Sequence, residues 1–365
     1  MAEDLELVFT KIDELANAVA PDFNIINDRL APAIKITSIS SDNTDEGRNM
    51  FYAMTDFLET QLKGIKCICP VLAWLNALQA YQEAKVDVPV NLIFCFEGME
   101  ESGSIGFAAF AKDNQALFQH VDAACISDNY WLTTRKPCLT YWSPRYQYFK
   151  VTVRDPEYAT IEFHHARFPN TIGSEANIYD DPKDTLMHRF RYPSLTIHGI
   201  TGADPSPDQT TAIYPKVTAK FSIRTVPDMQ GDAVTNLTIH YIEQEFRKLH
   251  SKNTCHVELF GESAPYWLGK KEDDNFTAGK PPRRKFNNTE PDLTREGGRS
   301  VQHGVTLDLQ NALGDKSIML LPVGMSDDGA HGPNEKINKD NYVKGSKLLG
   351  AYWWYFANPW PEYGH

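Results

Sequence analysis

Histidine is scarce and unevenly placed in this chain: 11 occur in 365 residues, and none precedes His120. Basic residues are outnumbered, 36 Lys and Arg against 48 Asp and Glu, for a formal charge of −12. That balance excludes a nucleic-acid backbone or an anionic membrane surface as the main partner, because both select clustered cations. No run approaches the ~18 apolar residues of a membrane span. Residues 348–357 come nearest and stop short at Asn-Pro-Trp-Pro. The opening Met-Ala-Glu-Asp-Leu-Glu lacks the basic start and apolar stretch of a secretory signal. Six cysteines are an ordinary number, and Cys95 and Cys125 sit inside apolar runs, where thiols behave as small hydrophobes. The sequons at Asn236, Asn275 and Asn287 then read as chance matches, and the chain as a cytoplasmic, reduced protein.

What is present is a globular composition, 42% hydrophobic and 23% charged, long enough for about two domains. Apolar residues recur at helical spacing over 5–20, 46–64 and 105–118, and a further helix starts at Pro70, a favoured first-turn residue. Residues 88–96, 121–126 and 317–323 are short, nearly continuous apolar runs, the signature of strands covered on both faces of a parallel sheet. Strand, loop, helix and strand within about forty residues predict a βαβ unit. Another helix is predicted from Asn341. Alternating strands at 148–153, 194–198 and 217–226, with an amphipathic helix over 232–249, predict an α+β insert between two parts of one α/β domain. Residues 154–184 and 261–292 carry turn-forming and polar residues, and Lys280-Pro-Pro-Arg-Arg-Lys285 predicts a solvated basic loop.

In open α/β sheets, ligands bind beyond the carboxyl ends of the parallel strands. Three clusters fall there: Glu97-Gly-Met-Glu100-Glu101, Ser127-Asp128-Asn129 and Asp327-Asp328-Gly-Ala-His331. Hard carboxylates with one imidazole suit zinc or manganese, and a neighbouring glutamate suits a general base. Acidic residues at a helix start also serve as caps, so any one cluster alone decides nothing. Three at three strand ends favour a site, and predict that Glu101, Asp128 and His331 share one sheet edge.

The stretches VNLIFCFEGMEESGS, ISDNYW, HRFRYPSLTIHGI, KFSIRTVP, EPDLTREGG and LLPVGMSDDGAHGPNEK resemble the cytosolic non-specific dipeptidase and carnosinase group. These are co-catalytic metallopeptidases related to aminoacylase and carboxypeptidase G. The resemblance is dense over 70–150, 186–260 and 289–352 and thinner over 25–64. It implies a parallel-rich α/β core, residues 1–147 and 263–365, interrupted by an α+β lid at 148–262 that forms a homodimer. It also implies two zinc or manganese ions acting on a dipeptide or short peptide. By motif, Glu100 resembles the general base and Glu101 a metal ligand. Asp128 resembles a ligand of the other metal, and His331 the ligand sharing a metal with Glu101. Arg224 resembles the residue that grips the substrate carboxylate, with Thr211 a neighbouring contact.

The chain also departs from that pattern. The group's His-x-Asp ligand motif and metal-bridging Asp precede the helix that starts here at Pro70. This chain has no histidine there, and Lys66-Cys-Ile-Cys-Pro70 stands where the bridging carboxylate belongs. Cys67 and Cys69 read as structural. The lid's Asp-x-His-Ser-Gly motif is replaced by Arg154-Asp-Pro-Glu, and a second lid histidine aligns with Glu262. Arg299 is an extra residue beside Ser300, whose substrate role it disturbs. The expectation is a metallodipeptidase-type hydrolase with impaired two-metal catalysis and at most one weakly held ion. The alternative is a catalytically silent homologue, or an exon-skipped isoform, acting as a binding or dimerising protein.

Overall fold

Helical spacing of apolar residues builds the largest core of the computed structural model. It describes residues 2–17, 24–36, 44–63, 69–98, 104–128, 130–134, 136–143, 163, 178–202, 216–226, 229–259, 267–287, 290–294, 303–329 and 335–359. Helix α1 (Ala2–Ala16) buries Leu5, Val8, Phe9, Ile12 and Leu15, spaced to share one face. Asn24 caps a π-wound turn, Ile25–Leu30, accepting the N–H groups of Ile26 and Asn27, and α2 (Ala31–Ile34) follows. Helix α3 (Asp45–Lys63) and α4 (Cys69–Ala84) come next, at the predicted positions. The C-terminal helix, described below as α11, lies against α4 closely enough that a Cβ at Gly350 would sit 3.3 Å from the Ala77 Cβ. Tyr81 donates to the Gly350 carbonyl at 2.9 Å, and Trp74 stacks on Trp353 with centroids 5.2 Å apart.

The helices α5 (Phe107–Asp113) and α6 (Gln115–Phe118) precede strand β1 (Ala123–Ile126). Then follow β2 (Cys138–Thr140), β3 (Trp142–Ser143), α7 (Pro182–Phe190), β4 (Ser194–Thr201), β5 (Thr218–Arg224) and α8 (Gly231–Lys248). The chain continues through β6 (Trp267–Leu268), α9 (Asp274–Asn287), β7 (Asp292–Thr294), α10 (His303–Leu313), β8 (Ser317–Leu320) and α11 (Lys339–Ala357). The main sheet has the order β1-β8-β2-β7. β1 and β8 are parallel, from Ala123↔Ser317 to Ile126↔Leu320; β2 and β7 are parallel; β2 meets β8 antiparallel at Thr140↔Leu320. The fold is therefore mixed α/β with a parallel-rich sheet. β8 is covered on both faces, as its apolar run requires. Met319 and Leu321 join the core of α1, α4 and α11, while Ile318 and Leu320 pack with Phe107, Leu309 and Leu313.

β4 and β5 form a separate two-stranded antiparallel sheet, in register from Ser194↔Arg224 to Thr201↔Thr218. Its elements match the alternating strands predicted there, and α8 matches the amphipathic helix. The predicted strand at 148–153 lies outside the described residues.

Two expectations are corrected. Residues 88–96 enter no ladder among the described residues, so the predicted βαβ unit lacks its first hydrogen-bonded strand. Val88, Val90, Leu92, Phe94 and Phe96 pack on the core, while Ile93 is 48% exposed. The apolar run promised two covered faces, and only alternate side chains found cover. The predicted loop over 261–292 contains α9, which continues through Pro281 and Pro282. Burial of Phe276, Ala278 and Pro281 against the sheet and α11 outweighs the backbone bonds that proline removes. The Asn275 sequon is also explained: its side chain is 1% exposed and bonded inside the core.

Candidate active site at the strand ends

The ladder between β1 and β8 opens beyond Ile126, whose carbonyl accepts the Leu321 N–H at 2.7 Å. It closes again at a parallel bridge between Tyr130 and Gly324, and the Trp131 N–H donates to the Gly324 carbonyl at 2.9 Å. The crest between these two points carries Ser127, buried, and Asp128, exposed. Asp128 therefore stands at the carboxyl end of β1, beside the turn that follows β8, as the strand-end argument requires. Glu100, Glu101, His331 and Thr211 lie outside the described residues, so their convergence with Asp128 remains an expectation. Arg224 ends β5, half-buried, opposite Ser194 in the two-stranded sheet, with its Nε and Nη1 shielded from solvent.

The Asp327-Asp328 pair reads differently in the structure than in the sequence. Asp328 is 1% exposed and is held locally. One carboxylate oxygen accepts the Met325 N–H at 2.7 Å, and the other lies 3.3 Å from the Lys336 Nζ. Burial pushes its carboxyl above the ordinary aspartate range, and the Met325 N–H and Lys336 oppose that rise. Asp328 is thus a structural clamp between the turn after β8 and Lys336. Tyr130 donates to Glu335 Oε1 at 2.9 Å. Burial first, then Glu335, Asp128 and Asp328, hold its phenol protonated far above neutral pH. Sequence reasoning missed Tyr130, Glu335 and Lys336; the only available signal was Tyr130, two residues along the strand from Asp128.

Glu97 and Ser104 flank the Glu100-Glu101 segment. Both Glu97 carboxylate oxygens and the Ser104 hydroxyl are closed to solvent without a full hydrogen bond among the described residues. Burial raises the Glu97 carboxyl above the ordinary glutamate range; the nearby Ser104 hydroxyl opposes the rise and Asp308 adds to it. The folded state therefore binds more protons than the unfolded chain between the two pKa values, and stability falls as pH rises through that window. Glu97→Gln is expected to gain thermal stability over the parent above the window and to lose that advantage below about pH 4. Melting curves across pH check this, and a pH-independent difference would refute it.

Among the described residues no three His, Cys, Asp or Glu side chains come together as a metal site. By the resemblance, the ligands expected at these strand ends are Glu101 and His331 for one metal and Asp128 for the other. A carboxylate with an imidazole for one ion and a single carboxylate for the other fall short of a two-metal centre.

Over residues 65–354 the chain matches the peptidase family M20/M25/M40. It belongs to that family. The match begins at residue 65, inside the 64–70 stretch where the sequence departs from the metallopeptidase pattern. The chain is similar to the Cys-Gly metallodipeptidase DUG1 of Saccharomyces cerevisiae, 37% identical over 341 residues, covering 79% of this chain and 70% of that one. It is 33% identical over 336 residues to the human Beta-Ala-His dipeptidase, covering 78% of this chain and 65% of that one. The solved structure of the di-peptidase Dug1p from Saccharomyces cerevisiae superposes with a TM-score of 0.82 at 29% identity, covering 99% of this chain and 100% of that one. Human carnosine dipeptidase 1 follows at a TM-score of 0.68 and 31% identity, covering 79% and 71%. Membership makes this a chain of the metallodipeptidase type, in a family that works with metal ions.

Proposed function

We propose that the chain is a metallodipeptidase-type hydrolase whose two-metal chemistry is impaired. It keeps recognition of a dipeptide or short peptide better than it keeps turnover. The observation that carries this reading is the absence of any histidine before His120 in a chain that matches the family over residues 65–354. The core at 1–147 and 263–365 and the lid at 148–262 are assigned as separate domains, in the cytoplasm.

Glu101 and His331 would hold one zinc or manganese ion weakly, and Asp128 alone is left for the other. When bound, such an ion supplies Lewis acidity to a carbonyl and to water. Glu100 is placed as the group that accepts a proton from the attacking water. Arg224 is assigned to the substrate carboxylate, where a guanidinium offers two parallel donors, with Thr211 beside it. Elemental analysis after dialysis is expected to find less than one equivalent of zinc or manganese per chain. Two tightly held equivalents would defeat the reading.

A dimerising role through the lid is favoured by one observation. Leu195, Ile197 and Ile200 of β4 and Phe221 of β5 are at least 36% exposed, an apolar surface on the two-stranded sheet. Sedimentation equilibrium separates the two: a dimer dispersed by Ile197→Lys supports this role, and a monomer at all concentrations excludes it.

A further inference from the structure

Beside the first residues of β8 lies an open cleft of about 540 Å³, a volume usual for small-molecule sites. β1 and β8 are parallel, so this cleft sits at the amino ends of the strands, opposite the crest that carries Asp128. Its floor is apolar: Trp267 and Ile318 are 3% and 1% exposed, and Leu307 joins them. One amide ties the walls together. Gln310 accepts the Trp267 indole N–H at 3.3 Å and donates to the Lys316 carbonyl at 3.2 Å and to the Gly314 carbonyl. Gly269 belongs to the same wall, where a Cβ would fall 2.9 Å from the Trp267 ring, so glycine lets the indole fold back over the strand. β6, α10 and the turn before β8 thus hold the cleft in shape by themselves.

The rim is charged and unpaired. Lys270, Asp315 and Lys316 are exposed there. Lys270 Nζ reaches only the Asp315 backbone carbonyl, at 3.5 Å, and no ion pair among the described residues engages either ammonium or the Asp315 carboxylate. We propose that this cleft binds a free amino acid with an apolar side chain. The two lysines suit its carboxylate, Asp315 suits its ammonium, and the floor of Trp267, Leu307 and Ile318 suits its side chain. A simple anion would leave Asp315 opposing it, and a simple cation would leave both lysines opposing it. The inference needs neither a metal ion nor the proposed hydrolytic function.

The test is saturation-transfer NMR on the full-length chain, with L-leucine as the probe. Two comparison ligands are 4-methylpentanoate, which lacks the ammonium, and 3-methylbutylamine, which lacks the carboxylate. Leucine is expected to bind with a Kd of about 1 mM and more tightly than either. Lys316→Glu is expected to weaken leucine about fivefold, and Lys316→Arg to keep the parent affinity. Asp315→Asn is expected to weaken leucine about threefold without weakening 4-methylpentanoate, a split that a general loss of structure would not produce. The control is Arg224→Ala, which alters the lid and leaves the cleft intact. Leucine binding lost in Arg224→Ala and kept in Lys316→Glu would place the ligand elsewhere and overturn the inference. So would the absence of saturable leucine binding, or 4-methylpentanoate binding as tightly as leucine.

Discussion

Dipeptide hydrolysis by the purified chain, supplied with zinc or manganese, is expected to run at least about a thousandfold below the ~10 s⁻¹ of a typical enzyme. The argument runs through the attacking water. Peptide bonds yield only to an activated nucleophile, and the resemblance places that nucleophile between two cations beside a glutamate base. Glu100 remains in the sequence and can accept a proton. The carboxylate that would bridge the cations is replaced by the Lys66-Cys-Ile-Cys-Pro70 stretch, and no histidine stands before His120 to supply the first ligand. Glu100 would then draw its proton from water much closer to bulk acidity. Loss of the lid histidine removes a donor aimed at the developing negative charge, worth about 3 kcal/mol in comparable sites. Arg224 does not compensate. A grip on the substrate carboxylate that is equal in ground and transition states lowers KM without raising kcat. The assay needs Glu100→Ala as its control. Turnover near ~10 s⁻¹ that vanishes in Glu100→Ala would mean that substitute ligands exist and would sink the proposal.

The elements whose packing is set by local spacing were legible in the sequence. The row Leu5, Val8, Phe9, Ile12 and Leu15 becomes the buried face of α1, and the run at 317–323 becomes the doubly covered β8. The strand-end rule placed Asp128 correctly, because the position of a ladder's end follows from the apolar run before it. Residues 88–96 failed for a physical reason. An apolar run fixes how much surface wants cover, whereas a ladder depends on hydrogen-bonding register with a neighbour, and none of the described strands pairs with this run. The helix α9 failed in the opposite sense. Local backbone rules forbid Pro281 and Pro282 in its interior, and tertiary burial of Phe276 and Ala278 overrides them. At the site, residue type could not tell which carboxylate the fold would bury and clamp. Asp328 and Asp128 look alike in sequence, and only the fold turns one toward the Met325 N–H and Lys336. Lys336 gave no signal, since its partners are set by how the turn after β8 closes.

A second large effect is expected where three elements meet at one buried amide. Asn275, on α9, is 1% exposed. Its Nδ2 donates to the Ala124 carbonyl on β1 at 3.0 Å and to the Ser317 carbonyl on β8 at 3.3 Å. Its Oδ1 accepts the Tyr352 hydroxyl of α11 at 2.7 Å. One side chain therefore ties a helix, two adjacent parallel strands and the C-terminal helix across the core, beneath the strands that end at Asp128. Tyr352 is buried, and burial drives the pKa of its phenol well up, so it persists as a neutral donor that needs an acceptor. Asn275→Ala removes that acceptor and both donors. Each buried polar group left unsatisfied costs about 1–3 kcal/mol. The carbonyls each keep a second lone pair for the sheet, so the hydroxyl bears most of the loss, and the variant should be destabilised by about 3 kcal/mol. Tyr352→Phe leaves only the Asn275 oxygen unpaired and should cost about 1–1.5 kcal/mol. Because the two residues share one bond, their effects should not add: the double variant should fall short of the sum by about 1 kcal/mol. Urea unfolding followed by far-UV circular dichroism measures all three, with a lowered midpoint at constant slope as the signature. An Asn275→Ala midpoint equal to that of the parent would show that water or a shifted neighbour satisfies the node, and that the core does not depend on it.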